Sequence, residues 1–241
     1  MRKILMIFTL LISISVSSIL LLKPKKASAN EVANGYRVEE VIRDRFNKDT
    51  LDPSWKLNDA TVNFNYNGLH CVSPVGYGSG PVINAVRLGE KTCYRFTIHP
   101  NVGSSGSNIS FIIGAERTNS ELKEPDVDAR IQFWDNQFVF GEYQNNLFVY
   151  EEQGHVLRGF TGLYSDLVPT EVSLYIVRKS EGLTEIYTEY RREGELVFDT
   201  KSQPFKLMNP RHPDGYCGFF WDVVEMDITD FKVYQNDKLA F

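Results

Sequence analysis

Cysteine is scarce in this chain, with 3 in 241 residues. Cys71, Cys93 and Cys217 stand at spacings that match no metal-binding or redox motif. Histidine is nearly as rare, and His70, His99, His155 and His212 are scattered. There is no H-E-x-x-H and no G-x-S-x-G, so no zinc-peptidase or nucleophile-elbow signature is written in the sequence. A triad assembled in space would leave no such trace. The glycine-rich stretch GYGSGP, residues 76–81, leads into a strand pattern and not a helix, so it reads as a turn rather than a phosphate cradle. An excess of basic residues is missing too: 26 Lys and Arg face 31 Asp and Glu, a formal net charge of −5. Five of the basic residues and no acid lie before Asn30, so removing those five positive charges leaves about −10 on the remainder. Such a body repels phosphate backbones, and no nucleic-acid partner is expected. Arg191-Arg192 is a basic pair of the size that a solvated turn carries.

One long uncharged run is present, residues 4–22, between Arg2-Lys3 and the KPKK of residues 23–26. Ala27-Ser28-Ala29 then fits the small-x-small pattern of a signal-peptidase site. Residues 1–29 are expected to be an export signal cut after Ala29, the alternative being an uncleaved membrane anchor, since 19 apolar residues approach the length of a span. No lipobox cysteine follows the run. Either way the rest of the chain is placed outside the cytoplasm, secreted or at the cell surface. A disulfide is permitted there. Cys71 and Cys93, 22 residues apart on neighbouring strand patterns, are the expected pair, with Cys217 a buried thiol in GYCGFF.

Residues 30–45 read as a lead-in. Val38, Val41 and Ile42 fall at helical spacing and predict one short helix over residues 36–46. From residue 46 to 241 the chain reads as a single β domain. Val62, Phe64 and Tyr66 alternate with Asn63 and Asn65; Tyr94, Phe96 and Ile98 alternate with Arg95 and Thr97; Val172, Leu174 and Ile176 share one face. Further strand patterns occupy residues 82–88, 108–115, 129–134, 137–143, 183–190, 195–198, 216–223 and 227–234. Asp135-Asn136, residues 180–182 and residues 192–194 sit between them as turns. Many short strands with Gly-, Asn- and Pro-rich joints, and no convincing three-turn helix after residue 46, predict an all-β, two-sheet antiparallel sandwich or a barrel.

The two ends of this domain resemble those of the concanavalin A-like lectin/glucanase superfamily, including its laminin-G-like members. DRFNKDTLDPSW places Phe46, Leu51 and Trp55 as such domains open, and GYCGFFWDVVEMDITDFKVY closes in the same manner, with Asp227, Ile228, Asp230, Phe231, Val233 and Tyr234 on the matching positions. The resemblance implies a jelly-roll sandwich of two curved antiparallel sheets. Many members bind glycans and others hold proteins together. Some are glycoside hydrolases with E-x-D-x-E or E-x-D-x-x-E on a strand. On that pattern Glu225 would be the nucleophile, Asp227 the orienting acid and Asp230 the acid/base. Two features oppose it: Asp230 is not Glu, and only eleven residues follow it. The preferred reading makes 227–234 a sheet-closing strand, with Asp227 and Asp230 as solvated acids bracketing Ile228. Ile228 and Phe231 are three apart, so burying both demands a bulge near Thr229 and Asp230.

Sugar recognition needs rings for C–H faces and polar side chains for hydroxyls. RIQFWDNQFVFGEYQNN, residues 130–146, supplies both, and Arg130, Gln132, Trp134 and Tyr143 are the expected ligand contacts. Core filling and turn formation explain the same composition, ring by ring. No motif calls for a cofactor. Asp126 and Asp128, two apart, and Asp214 are hard oxygen ligands of the kind that takes calcium, although the twelve-residue calcium loop is absent. The function expected is an exported protein of the cell envelope that binds a carbohydrate or surface polymer. The rivals are a glycoside hydrolase or polysaccharide lyase, and a structural or adhesive domain with a protein partner.

Overall fold

The computed structural model describes residues 32–33, 36–37, 39–46, 52–57, 63–65, 68–72, 82–101, 108–118, 126–133, 138–144, 147–150, 166–222 and 225–235. All lie in one unit, Glu31–Phe241. Residues 1–29 and Leu51 fall outside them, as do the Asp135-Asn136 turn and Trp134.

Strands account for the described elements throughout. In chain order they are β1 (Val32–Ala33), β2 (Tyr36–Arg37), β3 (Glu39–Asp44), β4 (Trp55–Leu57), β5 (Asn63–Asn65), β6 (Gly68–Val72), β7 (Val82–Arg87), β8 (Lys91–Pro100) and β9 (Asn108–Ala115). They continue as β10 (Ala129–Phe133), β11 (Phe138–Gln144), β12 (Leu147–Tyr150), β13 (Thr170–Ser180), β14 (Leu183–Arg192), β15 (Glu195–Asp199), β16 (Phe205–Met208), β17 (Tyr216–Asp222) and β18 (Glu225–Gln235). Beside the small β1–β2 ribbon they form two antiparallel sheets. One has seven strands in the order β12-β11-β10-β9-β17-β7-β4. The other has nine, in the order β15-β14-β13-β8-β18-β6-β5, with β16 on β14 and β3 on β18.

Period-two alternation decides which side chains meet between the sheets. On β8, Tyr94, Phe96 and Ile98 are fully buried while Arg95, Thr97 and His99 are half-buried on the other side. On β10, Ala129, Ile131 and Phe133 join the core, which sends Arg130 and Gln132 to the opposite face. Aromatic rings bridge the layers: Phe96 stacks on Phe111 at 5.9 Å and meets Phe219 edge-on at 5.0 Å, and Trp55 meets Phe231 at 4.7 Å. Each such ring removes some 1.5–3 kcal/mol worth of apolar surface from water. The β14–β15 turn carries positive φ at both Glu193 and Gly194 (51° and 84°), the geometry that suits a tight hairpin between right-twisted strands.

Two expectations are overturned. The short helix over 36–46 is not formed: among the described residues there, Tyr36–Arg37 make β2 and Glu39–Asp44 make β3, and β3 pairs antiparallel with β18, Ile42 opposite Val233. The β-branched residues that matched a helical period suit a strand as well, and the open edge of β18 offers a ladder of partners that a lone short helix lacks. The Cys71–Cys93 disulfide is also absent, since all three cysteines are free and buried. β18 lies between β6 and β8. Cys71 stands level with Met226 and Pro100, whereas Cys93 is level with Tyr234, seven residues further along β8. Two strand spacings, about 10 Å, and about 23 Å along the strand separate them, far beyond the roughly 7 Å Cα limit of a disulfide. They also face opposite ways, Cys71 into the core and Cys93 toward Tyr175 and Tyr234. Cys217 is a core thiol as expected, and burial pushes it up to about 12.

Candidate functional site

The closing strand β18 lies next to the central strand β8 of the nine-stranded sheet, and the bulge near Thr229 and Asp230 is there. Pairing with β8 shifts register between Thr229 and Lys232, and Asp230 adopts φ 51°. That irregularity lets Ile228, Phe231 and Val233 all reach full burial.

Asp227 is not the solvated acid expected. It is level with His99 on β8 and His70 on β6, so all three project from the sheet's outward face. Yet its side chain is completely closed to solvent. Its Oδ1 accepts from Asn65 Nδ2 at 2.8 Å and from His70 Nδ1 at 2.6 Å. Asn65 belongs to the polar side of the alternation on β5, so the same period that buries Phe64 delivers the amide to Asp227. Burial lowers the pKa of His99, against the opposing charges of Asp227 and Asp230. Both hydrogen bonds to Asp227 end on Oδ1, so the carboxylate holds the Asn65 amide and the His70 ring in place. Asp230 is half-exposed in the bulge, 4.0 Å from Arg45 Nε. The side chain of Glu225 lies outside the described residues. Asp227 and Asp230 both act on the His99 ring electrostatically.

Arg130 and Gln132 do share a face, the outward side of the seven-stranded sheet. Gln132 is level with Ser110 and Val139, and Arg130 with Ile112 and Gly141. Gln132 is 5 % exposed, and its Oε1 has no hydrogen-bond partner among the described residues. Tyr143 pairs with Phe148 across β11–β12, its side chain outside the described residues, as is Trp134 altogether.

Asp128 has a structural task. Its carboxylate accepts the backbone amides of Arg211 (3.1 Å) and His212 (2.8 Å) and lies 3.4 Å from Arg211 Nε and 3.2 Å from His212 Nδ1. It fastens the 209–215 turn to the β9–β10 end of the sandwich. Burial raises its pKa, with the His212 and Arg211 contacts pulling the other way. Gly114 (φ 71°) makes room for it: a Cβ there would stand 2.5 Å from Asp128 Oδ2. Asp126 joins the same corner through its carbonyl, which accepts the Glu116 amide at 3.0 Å. Among the described residues no group of three or more His, Cys, Asp or Glu side chains is arranged to hold a metal ion.

Beside this clasp opens a cleft of about 270 Å³. Leu207, Met208 and Pro210 form its apolar wall, Asn209 and Arg211 bring donors, and Asp128 and Glu142 bring carboxylates. Glu142 is 8 % exposed and accepts the Met208 amide at 3.4 Å. Sequence reading passed over Glu142, Asn209 and Arg211. Of residues 209–215 only Asp214 drew notice in the sequence, and nothing in a single strand's pattern says which turn will stand against which strand end.

No family model and no curated protein matches the sequence. Solved structures do match in fold. One is an engineered glycoside hydrolase with endo-xylanase and exo-arabinofuranosidase activity, at 15 % identity and TM-score 0.53 over 86 % of this chain and 42 % of that one. Another is β-agarase A in complex with oligoagarose, at 10 % identity and TM-score 0.51 over 85 % and 95 %. A third is a carbohydrate binding module from Bacillus subtilis, at 11 % identity and TM-score 0.49 over 76 % and 96 %. At these identities the likeness to the first two shows a shared fold and nothing more.

Proposed function

We propose that this chain is a carbohydrate-binding β-sandwich protein of the concanavalin A-like kind, exported to the cell surface or beyond, and that it holds one sugar residue of a glycan in the cleft beside Asp128. The cleft carries the reading. It combines an apolar wall with donors and carboxylates at close quarters, which is what a ring with C–H faces and hydroxyls requires. At about 270 Å³ it falls just under the roughly 300–1,000 Å³ of drug-sized sites, so it suits a single ring and not a stretch of polymer. The agarose oligomer bound to β-agarase A places a glycan on the same fold, which makes a saccharide the first ligand class to test. The export signal read in residues 1–29 supports the location.

Affinity electrophoresis against a panel of soluble polysaccharides tests the binding. At least one should retard the protein, and Asn209→Gly should lose most of the retardation. Asn209 sits at φ 49°, so glycine keeps its backbone while deleting a cleft donor. Retardation equal in both proteins moves the site elsewhere, and none with any glycan overturns the reading. Release of reducing ends from the retarding polymer would replace binding with hydrolysis. For the location, the N-terminus of the exported protein should be Asn30, and Met1 in the membrane fraction would mean an anchored protein instead.

A further inference from the structure

Away from the cleft, the outward face of the nine-stranded sheet carries a row of cations. β18 pairs with β8 along one side, while β6 and then β3 take its other side. Lys232 of β18 is level with Arg95 of β8 and with Arg43 of β3. Phe231 and Val233, on either side of Lys232, belong to the core, so Lys232 points outward and the residues level with it share its face. Strands spaced about 4.8 Å apart spread the three across about 10 Å. Like charges directly opposite one another on adjacent strands destabilise a sheet. Arg95 is compensated: Glu171 lies 3.9 Å from its Nε, which donates to Ser173 Oγ at 3.2 Å, and the guanidinium lies 5.6 Å from the Tyr234 ring centroid. Lys232 and Arg43 are not: neither side chain has an ion pair or hydrogen bond among the described residues. Other acids of this face meet other cations. Glu189 lies 3.7 Å from Arg191, and Asp230, in the bulge, lies 4.0 Å from Arg45, a further cation that is 60 % exposed. Arg43 is exposed and Lys232 half-exposed, so both heads are open to a ligand.

We infer that this row is a second binding site, for an acidic polysaccharide built on uronate sugars, with one carboxylate of the polymer set between Lys232 and Arg43. The choice of a glycan rests on the saccharide reading above; the choice of its charge rests on the row itself. A carboxylate placed there relieves the repulsion between two opposed cations, and its hydrogen bonds to them are charge-assisted, roughly twice as strong as neutral ones. Arg43 presents a planar fork that matches a carboxylate, and Lys232 presents a point charge. In the next row of the same face stands Tyr175, half-buried and level with Cys93, where the C–H face of a neighbouring sugar can rest. The residues from Asn30 onward carry about −10, which opposes any polyanion at a distance. Salt near physiological strength confines that field to about 8 Å, so contacts within the row decide affinity. The same opposition weighs more heavily on duplex DNA, with one charge per about 1.7 Å of axis, than on a polymer with one charge per sugar.

Calorimetric titration at neutral pH tests the assignment. The probes are oligomers of galacturonate and of mannuronate, the methyl esters of both, polyphosphate and a short DNA duplex. At least one uronate should bind about tenfold tighter than its ester, which keeps the rings and removes the charge. Lys232→Gln combined with Arg43→Gln should bring acid and ester within about twofold of each other, while the exchange Lys232→Arg with Arg43→Lys should keep most of the preference. The paired Gln variant removes a repulsion, so its thermal melt should be no lower than that of the unaltered protein. If it nonetheless fails to fold, raising sodium chloride about tenfold on the unaltered protein should weaken the acid several-fold and the ester hardly at all. Equal affinity for acid and ester, or a preference that survives the paired Gln variant, overturns the inference and leaves saccharide binding in the cleft intact. Tighter binding of polyphosphate or DNA than of either uronate overturns the choice of a glycan. No binding of acid or ester overturns this inference alone, and the cleft reading falls with it only if the neutral polysaccharides also fail to retard the protein.

Discussion

Replacing Asp227 with alanine is the perturbation to which the closing strand should respond most sharply. The side chain is fully enclosed, and two donors, Asn65 Nδ2 and His70 Nδ1, end on one of its oxygens. A hydrogen bond to a charged group contributes about 1.5–3 kcal/mol, so losing two removes some 3–6 kcal/mol. Relief of the buried carboxylate's own desolvation offsets part of this, while breaking a buried charged pair by removing one partner typically costs about 3–5 kcal/mol. The expected loss for Asp227→Ala is therefore about 3–5 kcal/mol, a large share of the roughly 5–15 kcal/mol available to a domain. Asp227→Asn keeps an oxygen for His70 and should lose about 1–3 kcal/mol. Asp230→Ala, half-exposed and 4.0 Å from Arg45, should lose under about 1 kcal/mol. Urea melts of the three variants, with a double-mutant cycle pairing Asp227→Ala and His70→Ala, read these differences. A loss below about 1 kcal/mol for Asp227→Ala, or a coupling to His70 below about 0.5 kcal/mol, would refute the argument and return Asp227 to the solvated acids.

Other consequences are equally direct. Phe231→Ala should destabilise by about 3–5 kcal/mol, because Phe231 touches the rings of Phe46, Trp55, Tyr94 and Phe219 in the middle of the core; a melt within 2 °C of the unaltered protein would contradict its placement. Gly114→Ala should cost at least as much as a strained left-handed alanine, about 1–2 kcal/mol, since its Cβ would also collide with Asp128; a neutral thermal melt would show that the Asp128 clasp is not tight. His99 is held below its ordinary pKa, so the unfolded chain binds the proton more readily; its contribution to stability is full above about pH 6.5 and is lost as pH falls through the folded value. Denaturant melts between pH 7.5 and 5 should show that decline, and His99→Gln should flatten it. Alkylation of the unreduced, denatured protein should label all three cysteines, and a crosslinked Cys71–Cys93 peptide would contradict their separation.

How far the residues alone reach depends on whether the relevant pattern is local. Alternation on residues 94–98 and 172–176 states which side chains are buried, because a strand has two faces and one of them meets the core. The same local logic demanded a bulge between Ile228 and Phe231, and it is present. Fold class, strand positions and the inward set were legible for that reason. Residues 36–46 were misread because a stretch containing Val38, Val41 and Ile42 fits both periods, and only the free edge of β18 settles which is adopted. The disulfide was misassigned because adjacency in sequence says nothing of strand order: β18, from the far end of the chain, inserts between β6 and β8 and parts Cys71 from Cys93. Asp227 looked solvated because its partners, Asn65 and His70, are 162 and 157 residues away. The Asp128–Glu142–Arg211 cleft has the same origin. Its walls come from two strand ends and a turn that share no local pattern, and long-range strand pairing alone brings their charges to one place.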